Sequence, residues 1–297
     1  MIFSFLFFSA GIPYQELNSI LCALIVLFVT GIKDDLYPMV PYKKLLGQLV
    51  ASAIVSIHGG VRIKSIYGIF GIFEIPYFAS IILTIFIFLF LINAFNFIDG
   101  INGLTAGIGI IASLTFSWWF WVMNEPLFLL LSICTFGALL AFIIYNFKGK
   151  IFMGDSGSMV VGFLMTVLTV YFIKVSEDYQ PNIFYNISAV VYALAVMIIP
   201  VYDTIRIVFI RIFIHQKSPF RADRNHIHHM LVDIGMKHHQ AAFLLYVYNI
   251  FIIFLAWYLN GIILPKYQLI LFAGLSILFS GIIFLLKQNK KRVELYR

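Results

Sequence analysis

Four short stretches of this chain gather carboxylates, amides and imidazoles at spacings that chemistry can use. GIKDDLYP carries the adjacent acids Asp34 and Asp35, and FMGDSGS carries Asp155. NAFNFIDGING carries Asn93, Asn96, Asp99 and Asn102, one at every third residue. Six of the seven histidines fall between His215 and His239, and a further acid, Asp203, ends an apolar run. A three-residue period keeps the amide stripe near one helical face, where it can meet a ligand or hydrogen-bond a neighbouring helix. FMGDSGS sets a carboxylate and two hydroxyls at a helix start. Such starts offer free N–H groups to a phosphate, and aspartate offers magnesium a hard oxygen. A plain helix cap is the simpler use of the same residues, as a solvated acid pair is for Asp34 and Asp35.

The histidine segment reads SPFRADRNHIHHMLVDIGM. Asp223 can cap a short helix that Gly235 ends, with Ile227, Met230, Leu231 and Ile234 as an apolar stripe. That pattern predicts a helix lying in the membrane interface. The spacing is not HExxH and no Cys or Glu completes a set, so zinc is not expected. Phosphate binding by Arg224, His226 and His229 suits the residues better. His58, His238 and His239 read as structural. Together these types suit phosphoryl transfer, which needs a divalent ion on phosphate oxygens, positive groups for developing charge and an oriented nucleophile.

The elements that position them are apolar helices. Of 297 residues, 62% are hydrophobic and 11% charged, against roughly 25% charged in a soluble domain. The long runs are apolar on every face, which predicts an all-α, polytopic membrane bundle rather than a barrel. Ten spans are expected, near 1–12, 17–33, 44–58, 78–96, 101–122, 126–146, 157–174, 185–208, 241–260 and 267–286. Residues 59–77 read as a short external hairpin-like loop. Cys22 and Cys134 lie in separate apolar runs and suggest neither a disulfide nor a metal site. Met1 leads into IFSFLFF without a basic region, so no cleavable signal is expected.

Of the twenty lysines and arginines, only Arg62, Lys64, Lys174 and Lys266 fall on one side of this arrangement. The rule that cytoplasmic loops are positive makes the other side cytoplasmic and places every acidic, asparagine and histidine cluster there. The net charge of +7 then favours anionic lipid or phosphorylated substrates. Its spread over several short loops argues against nucleic acid.

GIKDDLYPMVPYKKLLGQ, NAFNFIDGINGLTAG, YNFKGKIFMGDSGSMVVGF and SPFRADRNHIHHML, in that order, resemble the polyprenyl-phosphate N-acetylhexosamine-1-phosphate transferases of glycosyltransferase family 4. The fourth stretch resembles the GlcNAc-1-phosphate branch. The resemblance covers residues from about 20 to about 235. It implies an enzyme of the inner (plasma) membrane that moves an N-acetylhexosamine-1-phosphate, GlcNAc-1-phosphate in the first instance, from a UDP-sugar to undecaprenyl phosphate. By the same resemblance UMP would be released and a lipid-linked cell-envelope glycan begun. It implies magnesium, with manganese as a substitute, held by Asp155 with Asn96 beside it. Asp34 and Asp35 would bind or activate the lipid phosphate, either one serving as base, with Asp155 completing the catalytic set. Asp99 and Asn102 would face the nucleotide, and Arg224, His226, His228 and His229 the sugar diphosphate, with Asn93 a further substrate-binding residue. A homodimer is also allowed.

Two departures from the family pattern stand out. Many bacterial members have DGxDG where this chain has Asp99-Gly100-Ile101-Asn102-Gly103; Asn102 carries no charge and reads as a binding residue. The family also begins with a further span and a cytoplasmic loop ending in a Pro-Arg-x-Gly-Gly-like stretch that residues 1–297 do not match. The whole chain is expected to be one transferase domain that inserts and keeps its metal site but turns over poorly. Rival readings are an ion-coupled transporter, an N-terminally truncated inactive relative, and a structural membrane protein. Transporter sites sit near the midplane between inverted repeats, whereas these acids fall at span ends and no repeat shows.

Overall fold

A computed structural model describes residues 15–176, 188–214, 216 and 225–295. Every regular element among them is helical, and the expected span at 1–12 lies outside the described residues. The helices are α1 (Gln15–Leu36), α2 (Pro41–Ala53), α3 (Tyr77–Ile98), α4 (Leu104–Val122), α5 (Pro126–Asn146) and α6 (Gly154–Ser176). They continue with α7 (Ala189–Val196), α8 (Ile198–Phe209), α9 (Ile227–Asp233), α10 (His238–Tyr258) and α11 (Pro265–Leu295). Proline begins α2, α5 and α11, where its missing N–H costs nothing.

Seven of these helices (α1, α3, α4, α5, α6, α10 and α11) are long and apolar enough to cross a membrane. The 22 residues of α1 reach about 33 Å at 1.5 Å per residue, enough for a hydrocarbon layer of about 30 Å. The expected span at 185–208 is broken: α7 and α8 meet at 79° and count at most as one further crossing. The expected span at 44–58 is a 13-residue α-helix continued by a π-helical turn, Ile54–His58. It still returns the chain to the start of α1, where Gln15 donates to the His58 carbonyl at 2.7 Å and Ser19 Oγ lies 2.8 Å from His58 Nδ1.

The connection from 59 to 76 contains no strand. One antiparallel bridge, Ser65 to Glu74, closes around a 3-10 turn at Ile69–Gly71. The chain then crosses along α3 back to the end where α1 finishes, and the alternation of long helices keeps residues 34–41, 93–103, 146–155, 203–214 and 225–237 at that same end.

At the centre stands α6, whose most apolar window is 89% buried, against 22% for α11. Small residues let its neighbours approach closely. A β-carbon added at Gly31 of α1 would stand 2.3 Å from Ser156 Cα, so the two backbones touch where α1 carries its acids. The outer faces of α3, α10 and α11 present large apolar side chains such as Ile82, Phe254 and Leu285, as a lipid-facing surface requires.

The apolar stripe of α9 faces the protein: Ile227, Met230 and Leu231 are 2–3% exposed, and Ile234 is half-buried. An apolar stripe identifies a covered face but does not say whether lipid or protein covers it.

Candidate active site

Helix α1 delivers Asp34 and Asp35 at its last turn, and the two acids part company. Asp35 turns to the start of α6 and accepts N–H bonds from Asp155 (2.7 Å) and Ser156 (3.1 Å), one on each carboxylate oxygen. It is the N-terminal cap of α6, supplied by another helix. Asp34 accepts the Met39 N–H at 2.7 Å and faces Lys44 of α2, whose ammonium lies 3.1 Å away. The same ammonium is 2.5 Å from Asp155 Oδ1, so Lys44 bridges two carboxylates that lie 121 residues apart in the chain.

Helix α3 brings the amide stripe to this point. Asn96 Nδ2 donates to Asp155 Oδ1 at 2.5 Å and to Ser158 Oγ at 2.8 Å. Asn93 is bound inward: its Nδ2 donates to Gln48 Oε1 and to the Leu89 carbonyl, both at 2.7 Å. Between α1, α2 and α3 opens a cavity of about 180 Å³ lined by Asp34, Met39, Pro41, Lys44, Leu45, Asn93, Asn96 and Phe97. Its polar side holds the Asp34 carboxylate, the Lys44 ammonium and the Asn93 and Asn96 amides, and Met39, Pro41, Leu45 and Phe97 make its apolar walls.

Asp99 closes α3. Burial, above all, holds its carboxyl up at about 6; the Thr105 hydroxyl lowers it and the negative charge of Asp155 raises it again. Asn102 lies across from Gly149 in the α5–α6 connection. Asn146 ties that connection to the Asp99–Gly103 turn, accepting the Gly103 N–H at 2.6 Å and donating to the Ile151 carbonyl at 2.8 Å. Tyr246 of α10 donates to the Gly103 carbonyl from the other side.

The histidines arrive on α9. The rings of His226, His228 and His229 lie within 4.2–6.5 Å of one another. His226 and His228 are buried, and His229 is half-buried at the edge of the site. Burial, chiefly, pushes the His228 imidazole down to about 3, so it is neutral at working pH. Arg224, read from the sequence with these histidines, lies outside the described residues, as does Asp223. The first N–H of α9, at Ile227, is capped by Asp203 instead, at 3.1 Å.

No cluster of three or more His, Cys, Asp or Glu side chains suited to a metal occurs among the described residues. Asp155, whose side chain is 36% exposed, and the carbonyl oxygen of Asn96 offer hard oxygen donors at the mouth of the site. That set is too small to cage an ion, but it fits one that keeps waters and takes further ligands from phosphate oxygens, as magnesium does.

Residues 17–173 match the model of glycosyl transferase family 4. The chain belongs to this family. It is 30% identical over 256 residues to the decaprenyl-phosphate N-acetylglucosaminephosphotransferase of Mycolicibacterium smegmatis, covering 81% of this chain and 61% of that protein. It is 31% identical over 235 residues to a probable undecaprenyl-phosphate N-acetylglucosaminyl 1-phosphate transferase of Bacillus subtilis, covering 78% and 63%. A third relative, the undecaprenyl-phosphate alpha-N-acetylglucosaminyl 1-phosphate transferase of Escherichia coli O157:H7, is 29% identical over 238 residues, covering 77% and 61%. The chain thus spans about three fifths of the length of these family members.

Within this family member, Lys44, Gln48 and Asn146 join the site without having been singled out for it from sequence, and Asp203, noted there only as an acid ending an apolar run, joins them. Lys44 and Gln48 stand in the same stretch as Asp34, and Asn146 in the same stretch as Asp155; that proximity was the available signal.

Proposed function

We propose that the chain transfers N-acetylhexosamine-1-phosphate, with GlcNAc-1-phosphate as the first candidate, from a UDP-sugar to undecaprenyl phosphate on the cytoplasmic side of the inner membrane. The observation that carries this reading is the Lys44 ammonium lying between Asp34 and Asp155, in a cavity that sets Asp34, Lys44 and two asparagines against the apolar walls of Met39, Pro41, Leu45 and Phe97. An amphiphilic phosphate needs that combination. A phosphate oxygen of the acceptor attacks the sugar-bearing phosphorus of the donor. The bond from that phosphorus to the bridging oxygen breaks, and UMP leaves with the electron pair.

Asp155 and Asn96 would hold magnesium, which when bound neutralises diphosphate oxygens. Asp34 takes the proton of a singly protonated acceptor phosphate. Asp35 is the less suited of the two, because each of its oxygens already accepts a backbone N–H group. Lys44 supplies positive charge to the phosphate that forms. Asp99 and Asn102 meet the nucleotide, and His229 meets the sugar diphosphate. The direct test gives purified protein undecaprenyl phosphate and a panel of UDP-sugars and measures UMP release. Release that does not depend on the lipid, or none with any sugar, would reject the reading.

Two expected outcomes follow from this geometry. Single cysteines at the exposed positions Tyr37, Phe152 and Lys237, in a background without Cys22 and Cys134, should all escape an impermeant thiol reagent added to intact cells. All three should label in inverted vesicles; labelling of any one from outside would break the shared-face arrangement.

The second concerns pH. With its carboxyl held at about 6, Asp99 is protonated below that pH and a full hydrogen-bond acceptor above it. Donor kcat/KM should therefore rise with pH along a limb centred near 6, and Asp99→Asn should flatten that limb. An unchanged acid limb in Asp99→Asn would remove Asp99 from donor binding.

A further inference from the structure

Asp203 is 1% exposed and lies on α8, away from the Asp34–Lys44–Asp155 bridge. A buried carboxylate is costly unless it is paired and hydrogen-bonded, and its partners show what it is for. Its Oδ1 accepts Arg206 Nη2 at 2.8 Å and the Ile227 N–H at 3.1 Å, while Oδ2 lies 2.8 Å from His226 Nδ1. An ionised carboxylate only accepts, so the proton of that last bond sits on His226 Nδ1. Arg206 also donates to the Asn225 carbonyl at 2.5 Å. Three of these four bonds cross from α8 to the entry of α9.

Helix α9 has seven residues, too few to be stable alone, and its N-cap residue His226 makes no cap of its own. Its far end is held by α11, where Lys287 pairs with the Asp233 carboxylate at 2.8 Å and Lys290 donates to the Asp233 carbonyl at 2.9 Å. The position of α9 is therefore set from both ends by other helices. What that position controls is visible at His228. Its Nε2 is buried without a hydrogen-bond partner among the described residues and sits against Gly100, where a β-carbon would stand 2.2 Å away. The His226 ring lies 5.5 Å from that of His228, at 15° to it, and His228 lies 4.2 Å from His229. A small slide of α9 would drive His228 into the Asp99–Gly100 turn or draw His229 away from it.

We propose that Asp203 is a positioning residue for the donor. Acting through His226 and the first turn of α9, it sets the register of His228 and His229 against the Asp99–Gly100 turn. This rests on the reading that the turn and the histidines bind the UDP-sugar. Asp203→Asn keeps the side chain's shape, but its amide group must now face either Arg206 or the protonated Nδ1 of His226.

The test compares donor and acceptor kinetics. In Asp203→Asn, kcat/KM for the UDP-sugar should fall on the order of 10- to 100-fold, while KM for undecaprenyl phosphate stays within about twofold of wild type. Manganese affinity, followed by electron paramagnetic resonance, should not change. In a double-mutant cycle with His229→Ala the two donor effects should overlap rather than add, because both act on one recognition element. If Asp203→Asn does not accumulate as folded protein, Arg206→Gln leaves the Asp203–His226 bond in place. It should show a smaller loss confined to the donor. Equal losses for donor and acceptor, additive effects in the cycle, or an unaffected donor kcat/KM would overturn the proposal. Wild-type protein that binds no UDP-sugar would overturn the donor reading itself, and the inference with it.

Discussion

Asp155→Asn is expected to abolish transfer, lowering turnover by about a thousandfold or more, while the protein still inserts and purifies as folded. The carboxylate is a charged oxygen at the mouth of the site, and a neutral amide in its place binds a hard divalent cation far more weakly. Removing several kcal/mol of charge stabilisation from the transition state costs roughly this factor. Folding should tolerate the change, because the two backbone N–H bonds to Asp35 remain and an asparagine oxygen can still accept from Lys44 and Asn96. The same variant should also lower the Asp99 carboxyl. Burial is the main cause of its upward displacement, but Asp155's charge contributes, so any residual activity should show its acid limb at lower pH. Near-normal turnover at ordinary magnesium would sink the metal assignment.

Lys44→Met should cut kcat about 100- to 1000-fold, the usual cost of removing one preorganised donor from a phosphoryl or acyl transfer site. Methionine fills similar volume, so the loss reports charge rather than packing. It also leaves Asp34, whose side chain is 9% exposed, facing Asp155 with no cation between them. Lys44→Arg is the sharper control. The guanidinium keeps the charge, but its planar fork cannot reproduce a point contact shared by two carboxylates, and partial activity is expected. UMP release measured under saturating donor and acceptor settles both variants; a Lys44→Met protein within a factor of a few of wild type would remove the ammonium from the chemistry.

How far the site could be read in advance depended on how far each contact reaches along the chain. The aspartates and asparagines were legible because their spacing is local and acids at span ends are expensive to place. Lys44 counted only toward orientation, since nothing within ten residues reveals that its ammonium will meet an aspartate on α6. Asp34 and Asp35 read as a pair with exchangeable roles. Their division appears only when α6 supplies two N–H groups to one of them. The helical class followed from composition, whereas the bend between α7 and α8 and the π-helical end of α2 did not. The stripe on α9 marks a covered face, but lipid and protein are equally apolar, so the stripe alone does not say that protein covers Ile227, Met230 and Leu231.

The caps of α6 and α9 are both borrowed, and this has a consequence for how the protein is made. A helix that carries its own capping residue is finished when its first turn emerges from the ribosome. Asp35, in contrast, precedes the N–H group it caps by 120 residues, and Asp203 precedes its own by 24. At about 5–20 residues per second, Asp35 waits roughly 6–24 s before Asp155 is even synthesised. During that interval it stands at the membrane surface without its partner, and α6 must enter the bilayer with its amino end bare until α1 docks beside it. The backbone that carries Asp155 is thus anchored only after two distant segments have been laid side by side in the correct orientation. A chain that inserts with either segment inverted leaves that anchor unmade, so these two hydrogen bonds form only in a correctly threaded chain.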